Sequence, residues 1–193
     1  IKKFQYYSVG LLNPDGRVDP RGKTLRRLNL LQEPRWMLVA RAEMGTREDR
    51  RPGKHNARIV EYLNTTTNIS QAYRDRDETA WCSAFVNWVL KQVGIAGTNH
   101  ALASKWLKWG YELDAPRPGC ITVIKKKGAS SDAATGSGSG NHVGFFVEAP
   151  KKSRFVLLGG NQGGGWQVQE STYSTGNYQI RGHRWPFPPV REP

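Results

Sequence analysis

The chain of 193 residues predicts an α+β fold with an antiparallel sheet, its helices first and its strands after. Two observations carry that expectation. Between residues 34 and 110, apolar residues recur at helical spacing between capping residues and glycines. From Cys120 onward, short β-branched and aromatic runs are separated by turn formers, as in a meander of strands. No internal repeat interrupts this order.

Residues 1–33 read as an appendage or linker. The stretch from Asn13 to Gly22 is dense in turn formers, and Thr24 to Leu31 predicts a short helix with Leu25, Leu28 and Leu31 on one side. The main domain is placed at 34–187, and 188–193 as an irregular tail. Pro34 suits a first helical position for a helix over 36–44, which Gly45 ends. Arg47 to Lys54 is a charged loop. Asn56 caps a second short helix whose apolar side is Ile59, Val60 and Leu63. Thr65 to Ser70 is a polar loop.

The stretch from Thr79 to Leu90 predicts the central helix. Trp81, Ala84, Phe85, Trp88 and Val89 share one side, Asp77 or Thr79 is placed to cap it, and Gly94 sits where a left-handed end belongs. Cys82 falls in its first turn, among unpaired N–H groups at the positive end of the helix dipole. That position is expected to lower the thiol pKa and favour the nucleophilic thiolate. A small buried hydrophobe on a core helix is the other reading of the same cysteine. Ala101 to Trp109 predicts a further helix, closed by Gly110.

Strands are predicted at Cys120–Ile124, His142–Val147, Phe155–Leu158, around Trp166 and Val168, and at Tyr178–Gly182. Gly128 to Gly140 is rich in Gly, Ser and Ala and reads as a flexible loop.

Composition bounds the function. The 37% hydrophobic and 23% charged content is that of a globular protein, and no apolar run approaches the roughly 18 residues of a membrane span. The chain opens on Ile1 with no charged-then-apolar leader, which reads as a processed piece of a longer protein. Two cysteines make no disulfide framework, and with four scattered histidines no zinc spacing appears, so no metal or cofactor is expected. The net charge of +13 implies polyanionic surroundings: nucleic acid, anionic lipid or a bacterial wall. Without a nucleic-acid motif beside the charge, no nucleic-acid partner is expected.

A cysteine nucleophile needs a base and a group to orient that base. His142 opens a strand next to Gly144 and is the candidate base; it shares a strand face with Gly144 and Phe146. A helix packed on that face brings its N-terminus to the strand end. Asn161 closes the next strand and, if the two strands pair antiparallel, falls close to His142. Gln162 is the second choice. His55, His100 and His183 read as surface residues.

Four separated segments then carry a resemblance. Ala80-Trp-Cys-Ser-Ala-Phe-Val-Asn-Trp88, Arg117-Pro-Gly119, His142-Val-Gly-Phe145 and Gly159-Gly-Asn-Gln162 occur in the order found in the NlpC/P60 and CHAP superfamily, and residues 34–185 resemble its small phage-type and toxin-type members. The resemblance implies a papain-like fold with N-terminal helices packed on a central antiparallel sheet. It implies a peptidoglycan hydrolase, amidase or endopeptidase, with Cys82, His142 and Asn161 catalytic. Trp81, Gln162 and Trp166 are the expected substrate contacts. The implied setting is the bacterial periplasm or cell wall, reached by delivery or secretion of an effector or phage lysin, with no membrane insertion. An effector would meet a cognate immunity protein that plugs its groove. A protease or transamidase acting on protein, or a non-catalytic wall-binding module, are the alternatives. Two departures stand out. Cys120 replaces the aspartate usual after Pro-Gly, which leaves a carboxylate's role unfilled. The Gly128–Gly140 loop is long and runs into His142; of gate and tolerated insertion, insertion is the expectation.

Overall fold

The computed structural model describes residues 1–7, 9–19, 22–24, 33–164 and 166–187, with Phe4 by its backbone only. The predicted helix over 24–31, beyond Thr24, and the tail over 188–193 lie outside the described residues. The chain divides into two compact units, Ile1–Pro34 and Arg35–Pro193. In the first, α1 (Lys2–Tyr7) carries Gln5, whose buried amide organises the turns beyond the helix. It donates to Asp15, to the carbonyl of Arg17 and to Thr24, and accepts from the N–H of Gly16.

The second unit is mixed helix and antiparallel sheet. Its helices are α2 (Arg35–Ala42), α3 (Ala57–Leu63), α4 (Gln71–Arg74) and α5 (Cys82–Gln92), followed by a 3₁₀ turn over Ala103–Lys108. The strands are β1 (Tyr111–Glu112), β2 (Ile121–Lys126), β3 (Asn141–Lys151), β4 (Arg154–Gln162), β5 (Gln167–Ser174) and β6 (Tyr178–Trp185). Among the described residues they form one sheet in the order β1-β6-β2-β3-β4-β5, every pair antiparallel. No helix among the described residues is long and apolar enough to cross a membrane.

Local chemistry explains most boundaries. Asn56 caps α3 by accepting from the N–H of Arg58 at 2.9 Å. Gly94 follows α5 at φ +75°, the left-handed turn that a side chain resists. The helix expected over 101–109 is instead the short 3₁₀ turn. Its flanks, Leu102 and Trp109, are extended, and Gly110 at φ +58° presses against the carbonyl of Trp185. The two-residue β1 and the one-turn α4 lie where the sequence predicts no strand or helix; both are too short to show a period.

α5 packs on β3 and β4, with α2 and α3 behind it. Trp81, Phe85, Val89, Tyr62, Val143, Phe145 and Leu158 belong to this core, and each is fully buried. Burying side chains of this size contributes roughly 1.5–3 kcal/mol each. The opposite face of the sheet holds a second cluster, Cys120, Ile124, Phe146, Phe155, Leu157, Tyr173 and Tyr178. Polar groups on α5 tie down the segment between it and the 3₁₀ turn. The Ser83 hydroxyl donates to the carbonyl of His100 and accepts from Trp106, and the Asn87 amide accepts from the N–H of Asn99.

Helix and sheet meet most closely at Gly159-Gly160. A Cβ on Gly160 would lie 2.3 Å from the Trp81 ring and 2.8 Å from Phe85 Cβ. A Cβ on Gly159, on the other side, would lie 2.9 Å from Gln162 Nε2 and 3.4 Å from His142 Nε2. The pair is therefore the spacer between α5 and the second layer. Gly160→Ala is expected to destabilise the fold by about 1–3 kcal/mol, because Trp81 is walled in and must shift as a whole. A denaturant midpoint equal to the wild type's would show that the spacing is not set here.

Candidate active site

Cys82 begins α5, and neither expected cap caps it. Trp81 holds the cap position without a side-chain bond. Thr79 donates instead to the carbonyl of Tyr73. Asp77, fully buried, accepts from the N–H groups of Asp49 and Asn56, both at 2.7 Å, and pairs with His55 at 3.1 Å. It clamps the charged loop rather than the helix. His55, Asp77 and Glu78 place ligand atoms within 4.8 Å of one another, but both oxygens of Asp77 are engaged in that clamp.

Cys82 is only 4% exposed. Burial pushes its pKa up to about 11, against the opposing pull of the backbone N–H groups of Val143, Ser83 and Cys82 itself. The expectation that the helix start lowers this thiol is corrected here: desolvation outweighs the backbone N–H groups that pull it down. The Val143 contact sets the sulfur against the start of β3, one residue from His142.

His142 is fully buried, and burial pushes its pKa down to about 4 while the Asp132 charge and the Gln162 amide pull it up. It alternates with Val143, so its ring lies on the side of the sheet away from α5, 6.0 Å from the ring of Tyr173. The helix expected on the His142 face packs on the Val143 and Phe145 face instead, so the contact that links Cys82 to this part of β3 is the one to the Val143 backbone. Among the described residues neither ring nitrogen of His142 has a partner that meets hydrogen-bond geometry; the Gln162 amide lies near the ring, but its N–H groups go to the carbonyls of Gly159 and Gln169.

Asn161 stands at φ +58°, 2% exposed, with Oδ1 unpartnered. The β3–β4 ladder pairs Phe145 with Leu158 and goes no further at this end. Extending that register by three residues sets His142 across from Asn161. The opened ladder leaves them unbonded, and the Asn161 amide faces Gly136, where a Cβ would lie 2.7 Å from Nδ2.

The expected substrate contacts fare differently. Trp81 is fully buried beneath Gly160, and its indole donates to Glu48 at 3.1 Å. It is a core residue, not a groove wall. Gln162 is also fully buried, its amide donating to the carbonyls of Gly159 and Gln169 and accepting from the Tyr173 hydroxyl. With both ends engaged, it braces the site from within. Trp166 is partly exposed, and the Arg50 guanidinium lies 4.8 Å from its ring centroid. Beside it opens a cleft lined by Arg47, Glu48, Arg50, Arg51, Asn56 and Gly164.

Several functional-looking residues carry no sequence signal. Asp132 is a single acid in a Gly/Ser loop, and Tyr173 and Tyr178 are ordinary strand tyrosines until the sheet brings Tyr173 beside His142 and Tyr178 against Tyr173. His183, expected on the surface, is buried and bonds Thr122 at 2.9 Å, with Cys120 Sγ at 3.8 Å. Both cysteines are free.

No protein-family model matches the chain, and no curated protein matches it either.

Glu48 gives a test of this geometry. Burial raises its pKa from 4.5 to about 7, against the Trp81 hydrogen bond. The folded state thus holds this proton more tightly than the unfolded chain. The associated stability is present below pH 4.5 and lost as pH rises towards 7. Glu48→Gln keeps an acceptor for Trp81 and abolishes that loss. Its stability relative to wild type should rise between about pH 5 and about pH 8 by about 1 kcal/mol, allowing for solvent on the open side of Glu48. Urea unfolding at the two pH values measures this, and parallel curves would remove Glu48 from the account.

Proposed function

We propose that this protein is a peptidoglycan hydrolase that cleaves an amide bond of the peptide stem through a Cys82 thiolate, on a papain-like arrangement of helix and sheet. One observation carries the reading. Among the described residues, four buried side-chain nitrogen or oxygen atoms lack a partner, and three belong to His142 and Asn161. Orphaned polar groups in a packed interior are costly, and they gather where reactive groups wait for substrate. The four sequence segments shared in order with the NlpC/P60 and CHAP superfamily support the same residues.

In this mechanism His142 takes the Cys82 proton, and the thiolate attacks the amide carbonyl. The N–H groups at the start of α5 stabilise the developing oxyanion. The imidazolium then protonates the leaving amine, and water releases the acyl group with His142 as base. Asn161, across from His142 by register, orients the ring. The net charge of +13 favours the anionic bacterial envelope and strengthens encounter at low salt. The setting proposed is an effector delivered to the periplasm or wall, or a phage lysin. An immunity protein would then plug the site in a producing cell.

The burial of Cys82 and His142 favours a second reading, a non-catalytic wall-binding module. One experiment separates them. Purified sacculi are digested with wild type, Cys82→Ala and His142→Ala, and the muropeptides are identified by mass spectrometry. The hydrolase reading expects new stem-peptide products from wild type and a loss of at least about a thousandfold in both variants. Undiminished release by Cys82→Ala would remove Cys82 as the nucleophile, and the absence of new products from wild type would leave the binding module standing.

A further inference from the structure

The loop over residues 127–140 covers the candidate site and carries a carboxylate into it. Asp132, 6% exposed, accepts from the hydroxyls of Tyr178 and Thr135, both at 2.9 Å, and from the N–H of Ala134 at 3.2 Å. Among the described residues no Lys or Arg forms a salt bridge with it. A buried carboxylate without a cation is costly. On the other side of the same cluster lies the buried, unpartnered ring of His142. Tyr173 spans the two: its ring is 6.0 Å from His142 and 4.9 Å from Tyr178. The loop is fastened over the strand ends by the Gly163 N–H to the Ala134 carbonyl at 2.9 Å, and by Gly136 against Asn161. Gly128, Gly136 and Gly140 all stand at positive φ, so the backbone turns where side chains are disfavoured.

We propose that Asp132 is the positioning carboxylate of this site, a counter-charge for the His142 imidazolium carried on a loop that must lift to admit substrate and close again to arm the nucleophile. The inference rests on the Cys82–His142 reading. The step it governs is a proton transfer: the Cys82 S–H bond breaks, an N–H bond forms on His142, and the ion pair gains a third charge of balancing sign from the loop. No outside reagent enters. The groups placed around His142 are Asp132 from the loop and Gln162 from β4 and Tyr173 from β5; Tyr178 from β6 stands behind Tyr173, Asn161 lies across by extended register, and Cys82 from α5 meets the backbone of neighbouring Val143. Of these, only Asp132 offers a carboxylate.

The test needs no substrate. Histidine-labelled protein is titrated by NMR, His142 being assigned through His142→Gln, while alkylation of Cys82 by iodoacetamide is followed by mass spectrometry across pH. Asp132→Asn keeps an acceptor for Tyr178 and Thr135 but removes the charge. It should lower the His142 midpoint by about one pH unit and slow Cys82 alkylation near about pH 6 by about tenfold, with Asp132→Glu recovering part of both. Tyr178→Phe loosens the loop and should instead speed alkylation. If Asp132→Asn behaves like Tyr178→Phe, with faster alkylation and no downward shift of His142, Asp132 is only an anchor and the proposal is wrong. Should Asp132→Asn not fold, the wild type decides: the Asp132 carboxyl resonance must show a step at the His142 midpoint, and a flat trace overturns the coupling. Absence of muropeptide release by wild type would strike the hydrolase reading alone. Release with an unmoved His142 titration in Asp132→Asn would strike the Asp132 assignment alone.

Discussion

The structure depends on how closely the start of α5 can approach β4. Trp81 and Phe85 lie where a Gly160 side chain would be, and the amide of Gln162 lies where a Gly159 side chain would be, with the ring of His142 just beyond. Two bare backbone units thus separate a helix core from a polar cluster on the far face. Thicken either and the sulfur of Cys82 moves away from the end of β3. Close packing makes such a displacement abrupt rather than gradual, because the aromatic neighbours Tyr62, Trp88 and Phe145 leave the rings no room to adjust.

The electrostatics around Cys82 and His142 follow from that closeness. A thiol and an imidazole both held out of water prefer their neutral forms, and the shifts of Cys82 and His142 say so. For the pair to exchange a proton, charge must be stabilised locally. Backbone N–H groups do this for sulfur, and on the imidazole side the Asp132 charge and the Gln162 amide act in the same sense. The resting molecule is therefore quiet by burial, and its polar cluster is assembled from separate stretches of chain.

Much of the scaffold is legible in the amino-acid order. The Asn56 cap, the glycine after α5, the apolar side of α5 and the antiparallel meander each rest on short-range rules, and the structure contains them. Cys82, His142 and Asn161 could be singled out because each sits at an element's end beside a glycine or a helix start. The rest is hidden for a physical reason: it depends on contacts between distant segments. Asp77 reads as a helix cap by position, yet its carboxylate meets the N–H groups of Asp49 and Asn56 across the fold. Trp81 and Gln162 look like groove residues until their burial is known. The helix dipole at Cys82 is visible in sequence, but the desolvation that overrides it is not. Which side of a sheet a helix covers is likewise undetermined by the pattern of one strand, since β3 is apolar on both faces.

The two free cysteines have a consequence for where such a molecule can work. Cys82 belongs to the core beneath α5, whereas Cys120 lies in the opposite layer against Thr122 and His183. The sheet stands between them, so an oxidising compartment finds no partner thiol within the same folded molecule with which to close a bridge. Geometric isolation thus denies the sulfur at the helix start an internal disulfide.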